Sequence, residues 1–198
     1  MVNTKDIYNE LEKEYNHKGA FAELSNNAAI KSIETAYDYD EIKQQLAGQK
    51  CTSADALLVR RHIYFIEFKT GFVSKKEDIN TTTHKDNLRL NIRLKAYESL
   101  ALFEKIILEG IGDGKLAPNV KKVYIAVIDT SADPMMGYLD ILQGESGQLQ
   151  ERQKEHKKIF ENSLLNYRKT VMGGRALFYD CLEIWYDFEF DARVSKLK

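Results

Sequence analysis

Apolar residues recur with a helical period in some parts of this chain and with a strand period in others, which predicts a mixture of helices and strands. Apolar residues four positions apart over 3–17 predict a first helix, for which Asn3 or Thr4 is a suitable cap. A weaker helical pattern follows over 20–37. A short helix that ends at a glycine is then expected over 39–48.

Two short segments rich in β-branched and aromatic residues, 55–59 and 63–69, predict a pair of strands joined by a three-residue turn. The remaining predicted elements, in chain order, are a long helix over 87–114, a strand buried on both faces over 120–129, a charged helix over 149–171 and one or two strands within 175–194. This order predicts an α/β protein with a central mixed β-sheet flanked by helices, built as a single domain over 1–198.

Two of the predicted elements have apolar patterns that predict how they pack. One apolar stripe of the long helix comprises Leu90, Leu94, Tyr97, Ala101 and Leu108. Near the C-terminus, aromatic and acidic residues alternate over 185–190, which is typical of a half-buried strand.

Charged residues inside the predicted hairpin are the feature that points to chemistry. Alternation along a strand places Glu67 and Lys69 on one face together with Phe65. If the three-residue turn pairs Val59 with Ile63, Asp55 then lies opposite Glu67, although a turn of another length would shift this register. Charged side chains are rarely buried unless they are paired or bind a metal.

Two facing carboxylates repel each other, and a divalent cation between them removes the conflict. Oxygen ligands suit Mg²⁺ or Mn²⁺, and Mg²⁺ is commonly bound by one or two carboxylates together with water and substrate phosphate. Lys69 could stabilise developing negative charge or help to deprotonate an attacking water. This set of groups favours metal-assisted hydrolysis of a phosphodiester.

Asp55, an apolar strand, and then Glu67-Phe68-Lys69 on the next strand resemble the D…(D/E)-x-K motif of the PD-(D/E)XK nuclease superfamily. That family has a restriction-endonuclease-like core in the order helix, three strands, helix, strand, and the resemblance covers roughly Glu23 to Thr130. It implies that Asp55 and Glu67 are metal ligands and that Lys69 is the catalytic lysine. The chain departs from the pattern at Ala54, where the family often has proline, and its first core strand is not evident.

The resemblance also implies further site residues. The family often adds an acidic ligand on its first helix, for which Glu23 is the candidate and Glu34 the alternative. It often places a polar or basic residue on the helix after the lysine strand, for which Lys95 is the candidate, with Arg93 and Lys85 as alternatives. A local basic cluster could contact DNA phosphates: Lys75, Lys76, Lys85, Arg89 and Arg93.

A less specific interpretation is that Glu-x-Lys is a common tripeptide on a solvated strand face. The chain has a net charge of −1, with 29 basic and 30 acidic residues, so any nucleic-acid signal has to be local. Cys51 and Cys181 have no metal-ligand spacing, and no signal-like or membrane-spanning apolar segment is evident, so a cytoplasmic protein is expected. The expected function is a Mg²⁺- or Mn²⁺-dependent deoxyribonuclease. The alternative is an inactive domain of the same fold that binds protein or DNA, and a homodimer is left open.

Overall fold

Six strands pair in chain order to form one mixed, open β-sheet in the computed structural model of the protein. The structure describes residues 1–69, 82–112, 114–131, 146–164 and 177–197; for 50, 82–89 and 146–149 it describes the backbone alone. The strands are β1 Lys18–Ala20, β2 Thr35–Asp38, β3 Ala56–Val59, β4 Ile63–Lys69, β5 Lys122–Ile128 and β6 Cys181–Tyr186. Strands β1 to β4 are mutually antiparallel neighbours, whereas β4, β5 and β6 run parallel.

Helices flank this sheet, as the sequence predicts. They are α1 Thr4–Glu14, α2 Phe21–Leu24, α3 Tyr39–Ala47, α4 Thr82–Leu102, α5 Ser146–Leu164 and α6 Asp187–Val194. A 3-10 turn, Gly48–Lys50, follows α3, and α4 continues into a π-helical segment, Phe103–Leu108. No helix in the described ranges is both long enough and apolar enough to cross a membrane.

The hairpin register predicted from the sequence is confirmed. Val59 pairs with Ile63, and the antiparallel ladder continues to Ala56 opposite Ile66. Extending the ladder by one position places Asp55 opposite Glu67. The hairpin is central, because β2 lies on one side of it and β5 on the other.

Both faces of the sheet are buried, which explains the nearly continuous apolar runs of β3 and β5. Helices α1, α3, α4 and α5 contribute to the core on one face, to which Phe65, Tyr124 and Ala126 also belong. Helices α2 and α6 contribute to the core on the opposite face, with Ile66 and Trp185. Glu67 and Lys69 share the face of Phe65, so they lie on the α4 side of the sheet.

The C-terminal segment differs from the sequence expectation, because the half-buried strand predicted through residue 190 ends at Tyr186 and α6 begins at Asp187. Glu189 accepts a hydrogen bond from the Tyr186 amide at 2.9 Å, which caps the start of the helix. Phe190 and Val194, four residues apart, are fully buried against the sheet. This tertiary contact favours a helix over the strand that the local alternation suggests.

The weak helical pattern over 20–37 also folds differently from the expectation. Only Phe21–Leu24 is helical, and Thr35–Asp38 forms β2, a strand that the sequence did not reveal. The short strand is stabilised by pairing with β1 and β3 on either side. Its tertiary context therefore decides its structure more than its local composition does.

Helix α4 buries a different face from the part of the predicted apolar stripe that lies within it, whereas Leu108, the last residue of that stripe, lies in the π-helical segment and is buried. Leu90, Leu94 and Tyr97 are 59%, 41% and 54% exposed. The buried positions of α4 recur at helical spacing: Ile92, Ala96, Ser99 and Leu100. Phe103, the first residue of the π-helical segment, is buried on the same side. The helix has apolar residues on two faces, so periodicity alone does not decide which one meets the sheet.

Candidate functional site

Asp55 is held at the entrance of β3 by backbone contacts on both sides. Its Oδ2 accepts a hydrogen bond of 2.6 Å from the Phe68 amide on β4. Its carbonyl oxygen accepts a hydrogen bond of 3.2 Å from the amide of Tyr39, the first residue of α3. The Asp55 carboxylate is therefore fixed beside the C-terminal end of β4, and 20% of the Asp55 side chain is exposed.

Glu67 supplies the second carboxylate, and only 1% of its side chain is exposed. Its Oε1 lies 2.6 Å from Lys69 Nζ and 2.8 Å from Lys95 Nζ. Its Oε2 is buried and has no hydrogen-bond partner among the described residues. A buried carboxylate oxygen without a partner is costly, so this atom requires an explanation beyond packing.

Lys95, on α4, bridges the carboxylates of Asp55 and Glu67. Its Nζ lies 2.8 Å from Glu67 Oε1 and 3.3 Å from Asp55 Oδ1. The sheet-facing residues Ile92 and Ala96 of α4 bring Lys95 into this position. Although burial lowers the pKa of Lys95, the negative charges of Glu67 and Asp55 outweigh that effect and raise the pKa above its ordinary value.

The proton affinity of Asp55 also reflects its burial beside Glu67. Burial and then the charge of Glu67 raise the pKa of Asp55 from 3.8 to about 7, against the opposing effects of Lys95 and the Phe68 amide. A carboxyl group that titrates near neutrality can exchange a proton for a cation under ordinary conditions.

The four central candidates from the sequence are thus brought together. Asp55, Glu67, Lys69 and Lys95 form what we call the charge cluster, a group of two carboxylates and two ammonium groups on one face of the sheet. Lys95, the first candidate for a basic residue on the helix, contacts both carboxylates.

Glu23 is not part of the charge cluster. It is exposed on α2, which contributes to the core on the opposite face of the sheet, and its Oε2 accepts a hydrogen bond of 3.4 Å from the Ala20 amide. Its alternative, Glu34, pairs with Arg60 at 3.4 Å. Both glutamates therefore have local contacts, and the structure does not bring either to Asp55 and Glu67.

The other basic candidates are placed as follows. The Arg93 guanidinium lies over the Phe178 ring, with 5.8 Å between the guanidinium carbon and the ring centroid. Lys75 and Lys76 lie outside the described residues, as do the side chains of Lys85 and Arg89. The predicted basic cluster therefore stays a prediction.

Residues that sequence inspection missed attach α4 to the segment before Asp55. Glu98 Oε2 accepts hydrogen bonds from the Thr52 amide at 2.6 Å and from the Thr52 hydroxyl at 2.8 Å. Ser99 Oγ accepts a hydrogen bond of 2.7 Å from the Ala54 amide. The one sequence signal for Ser99 is its position one helical turn after Lys95.

The charge cluster fits a hard divalent cation in part. Asp55 and Glu67 supply two carboxylates, and the buried, unpartnered Oε2 of Glu67 offers a free ligand atom. Within the described ranges, however, no three residues of the types His, Cys, Asp and Glu gather as a ligand set. Two carboxylates are sufficient for Mg²⁺ when water and substrate oxygens complete its coordination, so the residues present are compatible with that metal.

Comparison with known proteins adds no family assignment: no family model, curated protein or solved structure matches the chain. Its fold and charge cluster together define an α/β protein with two carboxylates and two lysines at the centre of a mixed sheet. Function has to be inferred from the chemistry of those four side chains.

Proposed function

We propose that the protein is a divalent-metal-dependent nuclease that hydrolyses DNA phosphodiester bonds at the charge cluster. The observation that carries this proposal is the convergence of Asp55, Glu67 and Lys69, together with the unpartnered oxygen of Glu67. Mg²⁺ or Mn²⁺ is the proposed cofactor, because carboxylate oxygens are preferred ligands of both.

The order of elements supports the resemblance to the PD-(D/E)XK nucleases. Strands β2, β3 and β4 form an antiparallel series, helix α4 follows, and β5 then pairs with β4 in parallel. Helices precede this series and α3 lies between β2 and β3, so the chain follows the family order with one helix inserted among the three strands. In this proposal, β2 would correspond to the first core strand, which was not evident in the sequence.

Each residue of the charge cluster has a role in this proposal. Asp55 and Glu67 would hold the cation through their carboxylate oxygens, and Glu67 would use the oxygen that has no partner among the described residues. When bound, the cation would neutralise phosphate charge and lower the pKa of a water molecule. Lys69, whose side chain is 16% exposed at the end of β4, would stabilise the negative charge that develops on the phosphate. Lys95 would keep the two carboxylates together.

The hydrolysis balances without a further reactant. The oxygen of one water forms a bond to phosphorus while one ester P–O bond breaks. The water loses a proton, and the leaving alkoxide gains one.

A metal-binding experiment tests the ligand assignment. Mg²⁺ or Mn²⁺ should raise the melting temperature of the wild-type protein, because a ligand that binds only the folded state stabilises it. We expect the increase to vanish in Glu67→Ala and to persist in Glu23→Ala, a glutamate of α2 outside the charge cluster. An absence of any increase in the wild type would contradict the metal site.

A cleavage experiment tests the activity itself. Labelled DNA and RNA of matched sequence are incubated with the protein and Mn²⁺ or Mg²⁺, with EDTA as the control. Metal-dependent cleavage should disappear in Lys69→Ala while circular dichroism shows an intact fold. Cleavage at the wild-type rate in Lys69→Ala would exclude the catalytic role of this lysine.

One observation favours the alternative function, a non-catalytic module that binds DNA or a protein. When both carboxylates are ionised, the charges of Asp55 and Glu67 are balanced by those of Lys69 and Lys95, so the charge cluster needs no metal to be neutral. DNA binding that is unaffected by Mn²⁺ and by Glu67→Ala, with no cleavage, would support this alternative.

A further inference from the structure

Ser99 lies at the junction between α4 and the strand segment that carries Asp55. Its side chain is fully buried. Its Oγ accepts a hydrogen bond of 2.7 Å from the Ala54 amide and donates one of 2.6 Å to the Lys95 carbonyl oxygen. The Ser99 hydroxyl group thus contacts the backbone of Ala54, which precedes Asp55, and the backbone of Lys95.

Tyr39 completes the connection. Its hydroxyl donates a hydrogen bond of 2.8 Å to the Ser99 carbonyl oxygen, and its amide donates one of 3.2 Å to the Asp55 carbonyl oxygen. Ser99, Ala54, Asp55 and Tyr39 therefore form a closed ring of backbone and side-chain contacts. Asp55 is a member of the charge cluster, and Ala54 precedes it directly in the chain.

In the simplest arrangement of a buried helical serine, the hydroxyl group donates a hydrogen bond to the carbonyl oxygen four residues earlier. Ser163 on α5 shows that simpler arrangement, with Oγ donating to the Ile159 carbonyl oxygen at 2.9 Å. Ser99 makes the same bond and also accepts the Ala54 amide, so it sets the distance between α4 and the entrance of β3.

We propose that Ser99 is a positioning residue, which places Lys95 of α4 and the carboxylate of Asp55 at the separation required for the charge cluster to work. The effect on catalysis rests on the proposed nuclease function, whereas the effect on the position of Asp55 does not. A residue that sets such a separation matters because a displacement of about 1 Å at a reacting centre can cost roughly a hundredfold in rate.

Amide hydrogen exchange measured by NMR tests the positioning directly. The Phe68 amide reports on Asp55, because it donates to Asp55 Oδ2 at 2.6 Å. In Ser99→Ala we expect its exchange to accelerate roughly two- to tenfold, the range that weakening one hydrogen bond produces. The matched control is Ser163→Ala, which removes a buried helical serine with the same i to i−4 bond.

The Val127 amide in β5 serves as the reference for general loosening of the sheet. Faster exchange at Phe68 in Ser99→Ala, with Val127 unchanged and no effect in Ser163→Ala, supports the proposal. An unchanged Phe68 amide, or equal acceleration at Phe68 and Val127, overturns it because Ser99 would then contribute only to stability. If Ser99→Ala does not fold, Ser99→Cys retains a weak acceptor of similar size, and the same comparison applies to it.

Catalysis supplies the second measurement. Ser99→Ala should lower kcat/KM for metal-dependent DNA cleavage roughly 10- to 100-fold, with Ser163→Ala close to wild type. Equal kcat/KM in the two variants overturns the role of Ser99 in catalysis. If the wild-type protein cleaves neither DNA nor RNA, the nuclease proposal fails, and the exchange rate at Phe68 still decides whether Ser99 positions Asp55.

Discussion

Replacing Lys95 with methionine would leave Glu67 with one ammonium partner in place of two. Methionine preserves most of the length and apolar volume of the lysine side chain, so the change mainly removes the positive charge. In the native structure, that charge lies 2.8 Å from Glu67 Oε1 and 3.3 Å from Asp55 Oδ1. Glu67 is 1% exposed, so solvent cannot replace the lost partner.

The expected loss of stability follows from burial. Removing one member of a buried ion pair typically costs about 3–5 kcal/mol. Lys95 is 28% exposed, and Lys69 remains 2.6 Å from Glu67 Oε1, so the expected cost is lower. We expect a decrease in the free energy of unfolding of about 2–3 kcal/mol, equivalent to a melting temperature lower by roughly 4–12 °C in a protein of this size.

Urea unfolding monitored by circular dichroism measures this change. The matched control is Lys154→Met, because Lys154 forms a 2.6 Å ion pair with Glu151 that is 69% and 74% exposed. An exposed pair contributes about 0–1 kcal/mol, so this control should remain near wild type. If Lys95→Met were no less stable than Lys154→Met, the Lys95 ammonium group would not stabilise the carboxylates of Glu67 and Asp55. That result would contradict the role assigned to Lys95 in the charge cluster.

Three further predictions concern proton binding, a helix end and the packing of α4. The pKa of Asp55, raised from 3.8 to about 7, means that the folded state binds the proton more tightly, so stability should fall as pH rises from about 4 to about 7. Asp55→Asn should remove this contribution, which totals up to roughly 4 kcal/mol over that pH range, in pH-dependent urea titrations; an unchanged pH dependence would contradict the raised pKa. Asn3→Ala should cost about 1 kcal/mol of unfolding free energy, because the Asn3 side chain accepts the Lys5 and Asp6 amides; no loss would contradict the cap. Leu100→Ala should cost about 2–5 kcal/mol and Leu94→Ala less than about 1 kcal/mol, and the reverse order would contradict the orientation of α4.

The hairpin could be predicted from the sequence because its determinants are local. Side-chain alternation assigns each residue of β4 to a face, and a three-residue turn then sets the register of Asp55 against Glu67. Lys95 could also be predicted from the sequence, because it is a charged residue within the apolar part of the helix that follows the strand. In the structure Lys95 contacts both carboxylates, which explains why a charged residue occupies this position.

The elements that local pattern did not predict depend on distant partners. Strand β2 exists because β1 and β3 pair with it, and α6 is a helix because Phe190 and Val194 pack on the sheet. Glu23 is acidic and lies within the weak helical pattern over 20–37, but its side chain caps the start of α2, which packs on the other face of the sheet. Sequence spacing does not reveal on which face of a sheet a distant helix packs.

The composition of the charge cluster itself argues that it serves more than stability. Ion pairs in a protein interior often stabilise less than apolar side chains of the same volume, because desolvation offsets much of the attraction. Phe65, two residues before Glu67 on the same face, is fully buried, so an apolar residue at the next position would continue that core. Instead, the chain places a carboxylate there, one of whose oxygens has no partner among the described residues, and the pKa of Asp55 beside it is raised. These are the costs expected where binding or catalysis, and not packing, determines which residue occupies a buried position.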